Sequence, residues 1–196
     1  MPQPRNATSD GPVRLAVPVD PHLDHVLGPA RAPVTIVEYG DFECPSCKLA
    51  YPAVKLLIKT FGAGVRFAYR HFPLVEVHPH AELAAEAAEA AGAQGKFWPM
   101  HDLLFENQQH LKANHLRGYA QRLELDLARY DYEMGDHVYL QRVREHIASG
   151  VASGVRGTPA FYLNGAYQDV SFGFEHMMEA VRQRMRAPPP RSGRKS

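Results

Sequence analysis

Along the chain, short apolar runs alternate with longer amphipathic stretches. Residues 34–39 (VTIVEY) and 65–72 (VRFAYRHF) are nearly continuous apolar runs, which predict strands buried on both faces of a sheet. Residues 45–62 between them predict a helix that ends at a glycine and has its apolar positions at Leu49, Ala53, Leu56 and Leu57. This order predicts two parallel strands joined by a right-handed crossover.

A helical pattern dominates the chain from about residue 75 to residue 150. The alanine-rich residues 80–95 carry a row of acidic positions at Glu82, Glu86 and Glu89, for which we expect a solvated helix face. The next stretch has an apolar set expected to form a helix-packing core: Phe97, Trp98, Leu103, Leu104 and Phe105. The region therefore predicts several packed helices.

The strand pattern returns near the carboxyl end of the chain. Residues 159–170 (PAFYLNGAYQDV) contain Asn164-Gly165 between short apolar runs, a strong signal for a two-residue β-hairpin. Residues 174–185 then predict a final amphipathic helix. The complete order is β-α-β, a helical block, and β-β-α.

Composition limits what the two cysteines, Cys44 and Cys47, can do. A chain of 196 residues that is 45% hydrophobic can bury a core without disulfide staples. A bridge across two intervening residues would also remove little entropy from the unfolded chain. The sequence shows neither a signal-peptide core nor eighteen consecutive apolar residues, so we expect a cytoplasmic protein whose thiols are kept reduced. A catalytic or metal-binding pair is therefore favoured over a permanent bridge.

The cysteine pair lies where the first strand ends and the helix begins, in the stretch ECPSC. Unpaired N–H groups and the positive end of the helix dipole favour a thiolate there, and Pro45 suits the first helical turn because it has no N–H to leave unpaired. We expect Cys44 to face outward as the nucleophile and Cys47, one turn further in, to resolve the mixed disulfide.

Glu38 is an acidic residue within an apolar strand. Burial of a carboxylate is unfavourable and raises its pKa, so Glu38 is a candidate proton acceptor for Cys47. The alternative is that Glu38 lies at the end of the strand in contact with solvent.

These features resemble the DsbA-like thiol:disulfide oxidoreductases of the thioredoxin superfamily. The resemblance lies in DFECPSC after a strand, in Glu38 six residues before Cys44, in VRGTPAF at residues 155–161, and in the helical block between them. It implies an α/β thioredoxin fold, with β-α-β and β-β-α halves around a central mixed sheet and an inserted α-helical domain.

The resemblance also implies domain boundaries. The thioredoxin-fold domain is expected at residues 22–75 and 151–186, with the inserted helical domain at residues 76–150. Residues 1–21 are expected to form a flexible segment, and residues 187–196 a disordered basic tail.

By the same resemblance, Thr158 and Pro159 are expected to form a cis peptide bond beside the cysteines and to bind an extended substrate chain. Pro45 and Ser46 are expected to form the active-site loop. Strongly oxidising relatives often carry a histidine at the position of Ser46, so we expect an intermediate to reducing potential here.

The expected substrates are protein or peptide thiols and disulfides, and a glutathione or thioredoxin-type system would recycle the protein. The cycle requires no metal or organic cofactor, since the redox-active disulfide is Cys44-Cys47. A net charge of +1 gives no reason to expect nucleic acid or an anionic membrane as a partner, and we expect a monomer.

Two alternatives remain open. The cysteine pair could serve a non-catalytic zinc-binding or redox-sensing module, with histidines such as those of HPH at residues 78–80 as further ligands. The same fold could also carry other chemistry, as in the glutathione-linked isomerases of the kappa transferase type.

Overall fold

A computed structural model describes residues 13–171 and 173–186 of the chain. Its five-stranded sheet has the order β1-β3-β2-β4-β5. The strands are β1 (His25–Leu27), β2 (Val34–Gly40), β3 (Val65–His71), β4 (Ala160–Leu163) and β5 (Ala166–Gln168). The helices are α1 (Pro45–Phe61), α2 (Ala81–Gly92), α3 (Phe97–Glu106), α4 (Ala113–Arg122), α5 (Leu127–Gly135), α6 (Leu140–Ala152) and α7 (Glu175–Arg186).

The sheet is mixed, with β2 at its centre. β2 pairs in parallel with β3 and antiparallel with β4, and helix α1 makes the crossover from β2 to β3. The β4–β5 hairpin turns through Asn164 and Gly165, whose φ values of 49° and 79° fit the left-handed turn that this dipeptide favours. The predicted α/β thioredoxin fold with a helical insertion is confirmed. The edge strand β1 was not predicted, because three residues are too few to show an alternating pattern.

Helices α2 to α5 follow β3 and share a hydrophobic core with the sheet, whereas Ile147 of α6 packs against a second buried cluster of the sheet. Leu104 and Phe105 of α3 lie in the same buried cluster as Ile36 of β2 and Phe67 of β3. The expected helix-packing core is confirmed, with Trp98 partly buried at its margin. Since the core is continuous, the limits of an inserted domain at residues 76–150 remain a prediction.

The prediction of a solvated glutamate face on α2 is wrong. Glu86 and Glu89 are each 2% exposed, and Glu82 is half-buried. Both buried carboxylates have histidine partners on other elements: His137 lies beside Glu86, and His25 is one of the partners of Glu89. Such partners are distant in sequence, so periodicity on one helix could not reveal them.

The sequence pattern also identified the buried face of α1 only in part. Leu57 is buried together with Cys47 and Val54, whereas Leu49 and Leu56 are 78% and 58% exposed. Two apolar stripes of the helix have similar spacing, and the sheet covers the one that contains Cys47. The other stripe stays open beside the amino-terminal part of α7.

The amino-terminal stretch differs from the expectation for residues 1–21. Residues 13–21 contact the sheet: Arg14 forms a β-bridge with Ala166, and the carbonyl of Val17 accepts a hydrogen bond from Arg70. Residues 1–12 and the predicted basic tail at 187–196 lie outside the described residues. Within the described ranges, no helix combines the length and apolar character needed to cross a membrane.

Candidate functional site

The cysteine pair lies at the start of α1. Cys44 is the N-cap residue, with extended backbone angles, and Pro45 is the first residue of the helix. No side chain caps this terminus and its first turn holds no acidic residue, so the positive end of the helix dipole acts on Cys44 without competition. Both cysteines are free thiols; Cys44 is 6% exposed and Cys47 is fully buried. Cys44 is thus less open to solvent than expected.

The two thiols have opposite pKa shifts. A hydrogen bond from the Cys47 thiol and the backbone N–H groups of Ser46 and Cys47 lower the pKa of Cys44 to about 5, against the opposing effect of burial. Burial raises the pKa of Cys47 well above its ordinary value, and the neighbouring Cys44 and Glu38 raise it further. Cys44 is therefore the thiolate at neutral pH, and Cys47 keeps its proton.

Thr158 and Pro159 lie against the cysteine pair just before β4. The peptide bond between them is cis, the isomer expected from the resemblance. When protonated, the Cys44 thiol donates to the carbonyl oxygen of Thr158, with the sulfur and oxygen 3.4 Å apart. The fold thus brings together Cys44 and Pro159, which are far apart in sequence.

An open apolar groove of about 500 Å³ runs beside this contact. Its lining includes Thr158, Pro159, Ser46, the exposed α1 residue Leu49, and Phe174. The exposed apolar stripe of α1 therefore lies next to the reactive sulfur of Cys44.

Glu38 lies within β2, opposite Tyr69 of β3, and is 3% exposed. Among the described residues, neither a hydrogen bond nor a positive charge lowers its pKa. Burial raises its pKa to about 8, with a further contribution from the negative charge of Cys44. The alternative of a solvated strand end is wrong, and Glu38 can hold or release a proton near neutral pH.

Asp41, which sequence reasoning missed, organises the loop before the cysteines. Its backbone N–H lies 3.5 Å from the Cys47 sulfur. Its carboxylate accepts hydrogen bonds from the N–H groups of Glu43 and Leu74 and from Nδ1 of His78. The only sequence signal was the turn composition of GDFEC, which does not reveal partners on a distant loop.

Gln108, also missed, links the helical block to the same loop. The side-chain amide of this buried residue donates to the carbonyl oxygens of Phe42 and Cys44, both at 2.9 Å. Its position just after α3 carries no motif, so only the tertiary structure identifies it.

The histidines do not gather around the cysteines. His78 bonds to Asp41, and Nδ1 of His80 lies 2.8 Å from the Glu43 carboxylate. In the described part of the chain, one group of three potential metal ligands lies within 4.8 Å, formed by His71, Glu89 and His146, and it includes neither cysteine. This arrangement does not favour a zinc site made of the cysteine pair and the HPH histidines.

Comparison with known proteins agrees with the fold. Residues 22–183 match the family model described as Thioredoxin. In structure, the chain is similar to oxidised BdbD from Bacillus subtilis, with a TM-score of 0.77 and 22% identity over 86% of this chain and 96% of that one. A thioredoxin-like oxidoreductase from Silicibacter pomeroyi gives a TM-score of 0.72 and 29% identity, over 86% and 95% of the two chains.

Curated sequence relatives carry a different name. A protein of Salinispora arenicola named Na(+)/H(+) antiporter NhaA 1 is 50% identical over 88% of this chain and 26% of its own length. A relative from Herminiimonas arsenicoxydans, named Na(+)/H(+) antiporter NhaA, is 44% identical over 81% of this chain and 25% of its own length. The chain thus spans about a quarter of the length of each of these relatives. Its fold is also like that of alpha-DsbA1 from Wolbachia pipientis, with a TM-score of 0.71 and 18% identity over 87% of this chain and 94% of that one. By its family match, the chain belongs to the thioredoxin family.

Proposed function

We propose that this chain exchanges disulfides with protein or small thiol substrates through Cys44 and Cys47. The observation that carries the proposal is that two thiols at one helix terminus differ in pKa and burial. Cys44 has a lowered pKa, and Cys47 is buried with a raised pKa. Such a pair provides an attacking thiolate and a second thiol that reacts only after losing its proton.

In the reducing direction, the Cys44 thiolate attacks a substrate disulfide. One substrate sulfur becomes bonded to Cys44, and the other leaves as a thiolate. Cys47 then gives its proton to the Glu38 carboxylate and attacks the Cys44 sulfur, which releases the second substrate thiolate and forms the Cys44-Cys47 disulfide. Two electrons pass from the cysteine pair to the substrate.

The oxidising direction reverses these steps. A substrate thiolate attacks Cys44 in the disulfide, and Cys47 leaves with the bonding electrons and takes a proton from Glu38. Because its pKa is about 8, Glu38 is mainly protonated at neutral pH and can act as this acid. The direction in the cell depends on the recycling partner, for which a glutathione or thioredoxin-type system is the proposal.

The groove beside Cys44 supports extended peptide segments as substrates. The Thr158–Pro159 backbone offers a surface for chain-to-chain pairing, and the exposed Leu49 offers an apolar contact. The cysteine pair itself carries the electrons, so the proposed cycle uses neither a metal nor an organic cofactor. Action as a monomer in the cytoplasm remains part of the proposal.

The relatives' name does not lead us to propose ion transport for this chain. The matched quarter of those proteins corresponds to most of this chain. Within it, the Cys44 thiol contacts the carbonyl of Thr158 and its charge raises the pKa of the buried Glu38 further, an arrangement that supports thiol exchange. We propose that this part of the relatives performs thiol–disulfide exchange within proteins that carry the antiporter name.

Substitution of Cys44 tests the proposal. Cys44→Ser is expected to reduce disulfide exchange with a model peptide to the uncatalysed rate, because serine supplies no thiolate at neutral pH. Cys47→Ser is the matched control: it should still attack but stop at a mixed disulfide with Cys44, visible by mass spectrometry. Full exchange by the Cys44→Ser protein would exclude the proposed function.

A further inference from the structure

A cavity of about 210 Å³ lies between helices α1 and α3 and the sheet. Its wall is mainly apolar, but it includes six titratable side chains: Glu38, Tyr51, Lys55, Lys59, His101 and Asp102. Since one water molecule takes up about 30 Å³ in the liquid, the cavity has room for several. The buried carboxyl group of Glu38 therefore borders a space in which protons can move.

His101 presents an unused acceptor in this region. Its Nδ1 lies 3.1 Å from a carboxylate oxygen of Asp102, and a carboxylate only accepts, so Nδ1 carries the ring proton. Its Nε2 is then a lone-pair acceptor, and it is buried without a partner in the part of the chain that the structure describes. A buried acceptor of this kind requires a donor, which water in the cavity can supply.

Asp102 connects His101 to the solvent. The Asp102 side chain is 34% exposed, and its second carboxylate oxygen lies 2.6 Å from the Lys55 ammonium. Burial alone would raise the pKa of Asp102, but hydrogen bonds from His101 and Lys55 lower it. The carboxylate is therefore ionised at neutral pH and accepts the Nδ1 proton of His101.

We propose that His101 relays protons between Glu38 and Asp102 through water in this cavity, an inference that rests on the proposed exchange function. When Cys47 resolves a mixed disulfide, its proton passes to Glu38. Water carries that proton from Glu38 to Nε2 of His101, while the Nδ1 proton passes to Asp102 and then to solvent. One proton leaves Cys47 and one enters the solvent, and the ring returns to its first tautomer by exchange with water.

Other titratable groups face the two ends of this path. Around His101, Tyr51 and Lys55 project from α1, and Tyr69 and His71 lie on β3. Three such groups surround Glu38: Cys44 at the N-cap of α1, Cys47 on α1 and Tyr69 on β3. Besides burial, the charge of Cys44 raises the pKa of Glu38, and the charge of Glu38 contributes to the raised pKa values of Cys47 and Tyr69. Burial lowers the pKa of His101, so the ring stays neutral near pH 7 with one nitrogen free to accept. Tyr51 and Lys55 also line the cavity and bond carboxylates. Among the groups named here, His101 alone combines a place on the cavity wall, a bond to the partly exposed Asp102 and a buried nitrogen without a partner in the described part of the chain.

The test separates the two chemical steps. The reduced protein is mixed in a stopped-flow instrument with an aromatic disulfide that releases one coloured thiolate when Cys44 attacks and a second when Cys47 resolves. His101→Phe keeps an aromatic ring in the core and removes the relay. We expect the first phase to change less than about twofold and the second to slow about tenfold in dilute buffer, a fraction of a full general-base effect.

Three comparisons distinguish a relay from a packing role. Trp98→Phe alters the same cavity wall without a titratable group, and its second phase should match the wild type. His101→Ala opens space in which added imidazole should restore the second phase, while imidazole should leave Trp98→Phe unchanged. In a Glu38→Gln background, His101→Phe should cause no further slowing, because the path it serves is absent.

A second phase of wild-type speed in His101→Phe would overturn the relay, as would equal slowing of both phases. His101→Gln, which keeps hydrogen bonding, replaces His101→Phe if that protein does not fold, with the same expected result. Loss of both coloured phases in the wild-type protein would instead overturn the proposed exchange function, so the two failures are distinguishable.

Discussion

Two buried glutamates, Glu38 on β2 and Glu89 on α2, differ in partners rather than in burial. They are 3% and 2% exposed, yet their pKa values move in opposite directions. Burial raises the pKa of Glu38 to about 8. Burial would also raise the pKa of Glu89, but hydrogen bonds from His25 and His71 lower it well below its ordinary value.

The surroundings of Glu89 explain this difference. Its carboxylate accepts from two histidine rings and forms an ion pair with Arg142 at 2.9 Å. Among the described residues, no such partner lowers the pKa of Glu38, which borders the cavity instead. A carboxylate that is fully paired holds elements together, whereas an unpaired one beside two thiols is free to exchange a proton.

The largest expected effect is on stability at the paired site. Glu89→Gln removes the charge that balances Arg142 and leaves buried donors with poor partners, so we expect a loss of about 3 to 5 kcal/mol in the free energy of unfolding. Guanidinium denaturation at pH 7 measures it. Glu86→Gln is the matched control on the same helix; its partner His137 is largely exposed, and the loss should stay below about 1 kcal/mol. Equal losses would show that burial, not pairing, decides the role of these glutamates.

The next largest effect is on rate at the unpaired site. Glu38→Gln should slow the resolving step by Cys47 about 100-fold, within the range of general acid–base catalysis, and leave attack by Cys44 nearly unchanged. In the wild type, the resolving step should become faster as pH rises through about 8, because Glu38 must be ionised to accept the proton. Stopped-flow measurements across pH 6 to 9 test this. A Glu38→Gln protein with the wild-type pH profile would show that Glu38 does not exchange the proton, and would contradict its contrast with Glu89.

The smallest effect, counted per pH unit, concerns stability against pH. Glu38 keeps its proton in the folded state from its ordinary pKa of 4.5 up to about 8, while the unfolded chain releases it. Wild-type stability should therefore fall relative to Glu38→Gln over this window, by up to about 1.4 kcal/mol per pH unit. For Glu89 the sign is opposite: its contribution is present above pH 4.5 and is lost as pH falls below that value. Denaturation of both variants and the wild type at several pH values measures the two slopes, and slopes of the same sign would contradict the comparison.

The sequence was most informative about features that depend on residues close together in the chain. A cysteine at the N-cap of a helix and a hairpin at Asn164-Gly165 follow from neighbouring residues, and the structure has both. Glu38 was identified because an acid is unusual within an apolar strand. Its burial was correctly expected, although the sequence left a solvated strand end open.

The sequence was least informative where partners are far apart. Glu89 was assigned to a solvated face because its partner His25 lies 64 positions away. Gln108 and His101 belong to no motif, and their roles depend on how α3 packs against α1 and the cysteine loop. Periodicity also failed to decide between the two apolar stripes of α1, since the choice depends on which one meets the sheet.

The pair of hydrogen bonds from Gln108 has a consequence for the design of smaller proteins. Its amide holds the carbonyl groups of Phe42 and Cys44, so the helical block supplies part of the backbone support of the reactive loop. A chain shortened to the sheet, α1 and α7 would leave both carbonyls without this donor and the loop with less support. In such a miniature the cysteines would persist, but Cys44 would lose the fixed orientation that distinguishes it from any exposed thiol.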